Sequence, residues 1–154
     1  MVVDCAITLS GSFHSGTLAK TARALVGYIN EARVARCEGG TLTVLTATLP
    51  WHVVYQTFAG TLPRLTSVSL LVLNAGFELV ETFGNGCLFR TTAANPSALI
   101  ALLSGEGVVT GLRADETARI PLTGPFPCEL ATANFRGTGA MSTTRETALT
   151  IRLI

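Results

Sequence analysis

The chain has 154 residues, of which 48% are hydrophobic and 14% are charged, and its formal net charge is +1. This composition excludes a disordered chain, and the near-zero net charge excludes the global basic field that many nucleic-acid binders carry. So few charged side chains leave apolar surface uncovered in a single copy, which favours an oligomer or a larger assembly. The length fits one domain, residues 1–154.

Targeting segments are not expected. Residues 1–13 lack the basic start of a secretory signal, because Asp4 stands in its place. The densest apolar run, 68–80, is interrupted by Asn74 and Glu78 and is too short for a membrane-spanning helix. We therefore expect a soluble intracellular protein that makes no contact with a membrane.

The four cysteines are spread evenly along the chain and show no metal-ligand spacing. They are Cys5, Cys37, Cys87 and Cys128. A domain of this size does not need disulfides to fold, so the pattern favours buried thiols in a reducing compartment. Disulfide pairing in an extracellular chain is the alternative.

The first predicted elements are a strand and a long helix. Residues 2–13 alternate loosely and predict a strand. Apolar residues then recur at helical spacing: Leu18, Ala22, Leu25, Ile29 and Ala32. Ser15 can cap this helix, and Gly39 or Gly40 can end it, so we expect a helix over about 15–36.

Strands are predicted for the middle of the chain. Thr/Val/Leu alternation at 41–49 predicts one strand, and 51–60 is its expected hairpin partner. A third strand is expected at 66–74. The clearest hairpin joins 77–83 to 87–93, because the Asn-Gly turn between them suits a tight connection.

A second helix is predicted at about 96–104, with Asn95 as its cap and Pro96 at its first position. The remaining segments are expected to be two strands within 107–124, an edge segment at 124–135, a loop at 135–147 and a last strand at 147–154. The predicted fold class is therefore α+β, a single domain of mostly antiparallel strands with two helices.

No catalytic or metal-binding pattern is found. His14 lies between Ser12 and Ser15, but no acid is placed to orient it, so a polar helix-capping turn is favoured over a nucleophile and base. The only neighbouring carboxylates, Asp115 and Glu116, fall at an expected hairpin tip. We expect no enzyme, no metal and no cofactor.

One glycine-rich run has the composition of an anion-binding loop. Its candidate residues are Arg136, Gly137, Gly139, Ser142 and Thr143. Glycines let backbone amides approach an anion closely, and the run resembles the phosphate-covering tail motif of dUTPases. The other dUTPase motifs are not found, so a flexible surface loop is the preferred interpretation.

The outer face of the first predicted helix is weakly cationic. Lys20, Arg23 and Gly27 lie opposite its apolar stripe, and Arg33 and Arg36 follow near its end. Glycine in a helix interior lowers stability by about 1 kcal/mol relative to alanine. The close approach of a large partner would explain why Gly27 is present in spite of this cost. A solvated face with an incidental glycine is the alternative.

This helix and its neighbours resemble the opening of a sliding DNA clamp domain of the proliferating cell nuclear antigen type. The matching run is "LAKTARALVGYINEA" (18–32), preceded by 7–13 and followed by 39–45 and "HVV" (52–54). A second match lies at 98–122, and together the two cover about half of the chain. A full clamp chain has two such domains, whereas this chain supplies one.

The resemblance implies a ring whose helices face duplex DNA and hold it without reading bases, as phosphate contacts do. Lys20 and Arg23 would contact DNA, with Arg33 and Arg36 beside them, and Gly27 would give clearance. The resemblance therefore implies a non-enzymatic clamp-like processivity subunit that oligomerises on DNA. The low charge and the strand-rich pattern fit equally well the alternative, a structural subunit of a viral or other particle with no DNA role.

Overall fold

Strands make up nearly all of the regular structure in this protein. The computed structural model describes residues 2–17, 20–61, 63–84, 86–114, 119–124, 128, 132–143, 145–147 and 149–151. The strands are β1 (Asp4–Phe13), β2 (Leu25–Glu38), β3 (Gly40–Val44), β4 (Trp51–Ala59), β5 (Ser67–Leu73), β6 (Gly76–Glu81), β7 (Gly86–Arg90), β8 (Ser97–Leu103), β9 (Val109–Ala114), β10 (Ile120–Thr123), β11 (Thr132–Ala133) and β12 (Gly137–Gly139). Within these ranges the only helical segment is a 3-10 turn, Thr46–Thr48. The α+β prediction is therefore wrong.

The strands form two antiparallel sheets. The seven-stranded sheet has the order β1-β2-β4-β5-β8-β9-β12, and the five-stranded sheet has the order β11-β10-β7-β6-β3. At Gly39, whose φ is 84°, the chain leaves β2 and enters β3 in the other sheet. This turn connects the sheets along one side, and the whole curls into a half-barrel.

One hydrophobic core lies between the sheets and is rich in aromatic rings. Trp51 of β4 is 1% exposed, and its ring lies 5.1 Å from that of Phe77 in β6. Phe77 stacks on Phe89 of β7, and Phe135 meets both edge-on. The indole nitrogen of Trp51 donates to Thr48 Oγ1 at 2.8 Å, so its buried N–H is satisfied.

A second, smaller apolar cluster lies on the opposite face of the seven-stranded sheet. Val54, Leu71 and Ala98 are buried there, and Leu25 and Leu73 pack against them. β8 is therefore apolar on both of its faces. A short apolar run of this kind cannot be told from a buried helix by its periodicity, which is why the helix predicted at about 96–104 is the strand Ser97–Leu103.

The long helix predicted at about 15–36 is also absent. Its second half is β2, which pairs with β1 over the full length of that strand. In its pairing with β1, β2 contains two bulges, at Asn30 and Ala35, since neither residue has a partner in β1. Residues 14–24 form the connection between the two strands, and within it Leu18 and Ala19 lie outside the described residues.

Several strand predictions are confirmed and one pairing is not. The hairpin around Asn-Gly is β6 and β7, with Val80 opposite Gly86. β11 lies at an end of the five-stranded sheet, as expected for 124–135. The predicted hairpin of 41–49 with 51–60 is wrong, because β3 pairs with β6 while β4 pairs with β2 and β5.

All four cysteines are paired, so the expectation of buried thiols is wrong. Cys5 bonds to Cys37, which ties the beginning of β1 to the end of β2. Cys87 of β7 bonds to Cys128. Helices able to cross a membrane are absent from the part of the chain that the structure describes.

Glycine at position 27 allows β1 and β2 to approach closely. A Cβ atom placed on Gly27 would collide with the carbonyl oxygen of Ser12, and one placed on Gly11 would collide with that of Tyr28. The reason for Gly27 is therefore contact with β1, not clearance for a partner on a helix.

Replacement of Gly27 by alanine should lower the free energy of unfolding by about 2 kcal/mol, because the added methyl group forces the two strands apart. Denaturant titration measures this loss. The matched control is Gly137→Ala in β12, where a Cβ meets nothing within 4 Å. An equal loss in both variants would contradict the close-approach explanation.

Candidate functional site

The cations predicted to contact DNA are divided between two elements. Lys20 and Arg23 lie exposed in the connection between β1 and β2. The Arg23 guanidinium donates to the carbonyl oxygen of Ala93 at 2.8 Å, and its backbone N–H donates to the Tyr55 carbonyl at 2.8 Å. Arg23 thus ties this connection to the residues that precede β8.

Arg33 and Arg36 lie in β2 instead of at a helix end. Arg33 is opposite Thr8 and forms an ion pair with Glu31. Arg36 is exposed and opposite Ala6. The structure does not contain the helix whose outer face is predicted to carry Lys20, Arg23 and Gly27, with Arg33 and Arg36 near its end. Contact of these residues with DNA stays a prediction.

The proposed anion loop is partly a strand. Gly137 and Gly139 belong to β12, which pairs with β9 at the edge of the seven-stranded sheet. The Thr143 hydroxyl lies 2.6 Å from that of Thr147 within a turn, and Ser142 and Arg136 are exposed. The backbone around the two glycines is therefore paired with a neighbouring strand, and β12 interrupts the loop expected at 135–147.

Chemically reactive groups do not converge in the described ranges. No group of three or more His, Cys, Asp or Glu residues there could hold a metal ion. His14 is exposed, and His52 contacts the ring of Tyr28 edge-on at 5.3 Å. Asp115 and Glu116 lie outside the described residues. Burial raises the pKa of the Tyr55 hydroxyl above its usual 10.0.

Two depressions on the surface of the described residues can be compared with a ligand pocket. One, of about 320 Å³, lies between the β4–β5 and β8–β9 connections and has Arg64 and Glu106 in its lining. The other, of about 220 Å³, lies between the end of β2 and the beginning of β3. Neither contains a convergent set of polar groups of the kind that orients a small ligand.

The most distinctive surface is that of β1, the end strand of the seven-stranded sheet that pairs with β2. Its side chains alternate strictly: Asp4, Ala6, Thr8, Ser10 and Ser12 lie on one face, and Cys5, Ile7, Leu9, Gly11 and Phe13 lie on the other. Leu9 is 41% exposed and Phe13 is 36% exposed. Leu9 lies opposite Ala32 of β2, which packs against the core. The core face thus continues onto a strand that has no neighbour on its outer side among the described residues.

The backbone N–H and C=O groups of β1 point alternately toward β2 and away from it. The Cα atoms of Cys5 and Cys37 lie 4.1 Å apart, the close spacing of a non-hydrogen-bonded pair, so the backbone groups of Cys5 face away from β2. At the other end, the N–H of His14 donates to Val26. Odd-numbered residues of β1 therefore direct their N–H and C=O outward. We call this row of groups, from Cys5 to Phe13, the β1 edge.

The β1 edge lacks the features that normally protect an edge strand. Such strands are usually short or carry lysine, proline or inward charges. Within the described residues, which exclude 129–131 directly before β11, the other end strands are short, with 5 residues in β3, 2 in β11 and 3 in β12. β1 has 10 residues and a single charge, Asp4. Its alternation is visible in the sequence, but its position at the end of a sheet is not.

Comparisons with the models of protein families, with curated proteins and with solved structures find no match. The candidate site is therefore defined by the geometry of this chain alone.

Proposed function

We propose that this protein is a non-enzymatic structural subunit that assembles with other subunits through the strand edges of its half-barrel. The observation that carries the proposal is the β1 edge, a long strand with outward backbone groups, a single charge and exposed apolar side chains. A row of unpaired backbone groups is a template for pairing with another chain. Covering it would also bury Leu9 and Phe13, which favours association.

The low overall charge supports the same function. Only 14% of the residues are charged, and Val2 and Phe83 are further exposed apolar side chains, at 84% and 97%. Exposed apolar side chains that gather into patches mark interaction surfaces. Because disulfides persist in oxidising surroundings, we further propose that the protein acts outside the reducing cytosol.

The purified protein should form an oligomer without nucleic acid. Size-exclusion chromatography with light scattering across a range of protein concentrations measures its mass. A mass that stays at one chain over this range would contradict the proposed function.

The clamp-like function loses the helix on which its DNA contact depended, and we do not favour it. Retention on immobilised duplex DNA at about 50 mM salt, where phosphate contacts still register, separates the two functions. The structural subunit should pass unretained. Retention that falls when Lys20 and Arg23 are both changed to Glu would instead support DNA binding.

A further inference from the structure

We propose that the partner at the β1 edge is a second copy of this chain, paired antiparallel to the first about a two-fold axis at Leu9. This inference rests on the proposed function and names the partner at the same site. The two seven-stranded sheets would then continue into each other through their β1 strands.

The outward backbone groups permit this pairing. In an antiparallel pair, two residues that both direct their N–H and C=O toward the partner exchange two hydrogen bonds. With Leu9 opposite itself, Cys5 falls opposite Phe13 of the second copy, and Ile7 falls opposite Gly11. Every pair joins two outward-facing residues, and the five residues of each copy together make about ten new hydrogen bonds.

The side chains match in this register. A two-fold axis perpendicular to the sheet keeps each face on its own side, so Leu9 meets Leu9 of the second copy on the core face. On the opposite face, Thr8 meets Ser10 of the second copy. Asp4 falls opposite His14 of the second copy, so the one carboxylate of the strand meets an exposed imidazole instead of another acid.

The same register extends the core. Ala32 of β2, which lies opposite Leu9 of β1, already packs against the core cluster. Placing two leucines together at the axis joins the core face of one copy to that of the other. Phe13 would lie over the Cys5–Cys37 disulfide of the second copy, and both exposed apolar side chains of β1 would be covered.

The regular backbone of β1 favours this partner over an unrelated strand. The bulges that adapt the β1–β2 pair to the curl of the sheet fall on β2, at Asn30 and Ala35, so β1 itself is unbroken from Asp4 to Phe13. Bulges on an edge strand are one means by which proteins prevent pairing. A strand that is both regular and complementary to itself fits a second copy.

The first test changes the residue at the axis. Leu9→Lys places two like charges opposite each other, and we expect the dissociation constant of the dimer to rise at least about tenfold. The matched control is Leu102→Lys in β8, because Leu102 is 40% exposed and Leu9 is 41% exposed. Light scattering across a dilution series should show dissociation of the first variant only.

The second test identifies the register. Leu9→Lys and Leu9→Glu should each be monomeric alone, and an equimolar mixture should form a heterodimer, because only a register centred on Leu9 places residue 9 opposite itself. Failure of the mixture to associate would overturn this register and with it the inference.

A third variant separates loss of the dimer from loss of the fold. Leu9→Pro removes only an outward-facing N–H, a change that edge strands tolerate, so it should weaken the dimer and preserve pairing with β2. Circular dichroism checks the fold. If the unaltered protein is an oligomer and neither Leu9→Lys nor Leu9→Pro reduces its mass, the inference is overturned and the proposed function stands. If the unaltered protein is a monomer, the proposed function itself fails.

Discussion

Replacement of Trp51 by alanine should lower the free energy of unfolding by about 4 kcal/mol, the usual cost of removing a buried tryptophan. Trp51 is 1% exposed and packs against Phe77, so its loss opens a cavity between the two sheets. It also leaves the Thr48 hydroxyl without the indole N–H that donates to it. Denaturant-induced unfolding measures the change.

Phe83→Ala is the matched control, because Phe83 is 97% exposed at the tip of the β6–β7 hairpin. Truncating this aromatic ring should change stability by less than about 0.5 kcal/mol. A small effect for Trp51→Ala, or an equally large one for Phe83→Ala, would contradict the position of the core between the sheets.

Removal of the Cys5–Cys37 disulfide should cost about 3–4 kcal/mol. The bond closes a loop across a sequence separation of 32 residues, and the constraint that it places on the unfolded chain is of this size. The variant is Cys5→Ser with Cys37→Ser, two sites that are only half buried. Equilibrium unfolding measures the loss.

The matched comparison is the other disulfide, with Cys87→Ser and Cys128→Ser. Its separation of 41 residues predicts a similar entropic cost, but Cys87 is 1% exposed, so a serine hydroxyl would also be buried there and the loss should be larger. Equal stability of the Cys5/Cys37 variant and the unaltered protein would contradict a bond between these two residues.

The strands at 2–13, 66–74 and 77–93 could be predicted from the sequence. The absence of the first predicted helix, at about 15–36, could not. The core-facing residues of β2 opposite β1 are Ile29, Ala32, Val34 and Cys37, which face Gly11, Leu9, Ile7 and Cys5. Their spacing is 3, 2 and 3 because each bulge inserts one residue. The bulge at Asn30 puts Ile29 and Ala32 three residues apart on one face, and this spacing completes the helical pattern that begins with Leu18, Ala22 and Leu25.

The candidate site was predicted only in part. The sequence indicates that β1 is a strand with alternating faces, and its low charge indicates assembly. The position of β1 at the end of a sheet depends on pairings between distant segments, such as β5 with β8. A local sequence pattern does not predict such pairings. Lys20 and Arg23 share one face only if the apolar spacing over 18–32 is helical.

Bulges in β2 also bear on how the length of this protein can vary in evolution. Deletion of Asn30 or Ala35 would convert a bulge into a regular pair and leave every remaining side chain on its present face. Deletion of a residue within β1 would turn the rest of that strand over. Natural length variation should therefore accumulate in β2, while the outer strand keeps its length.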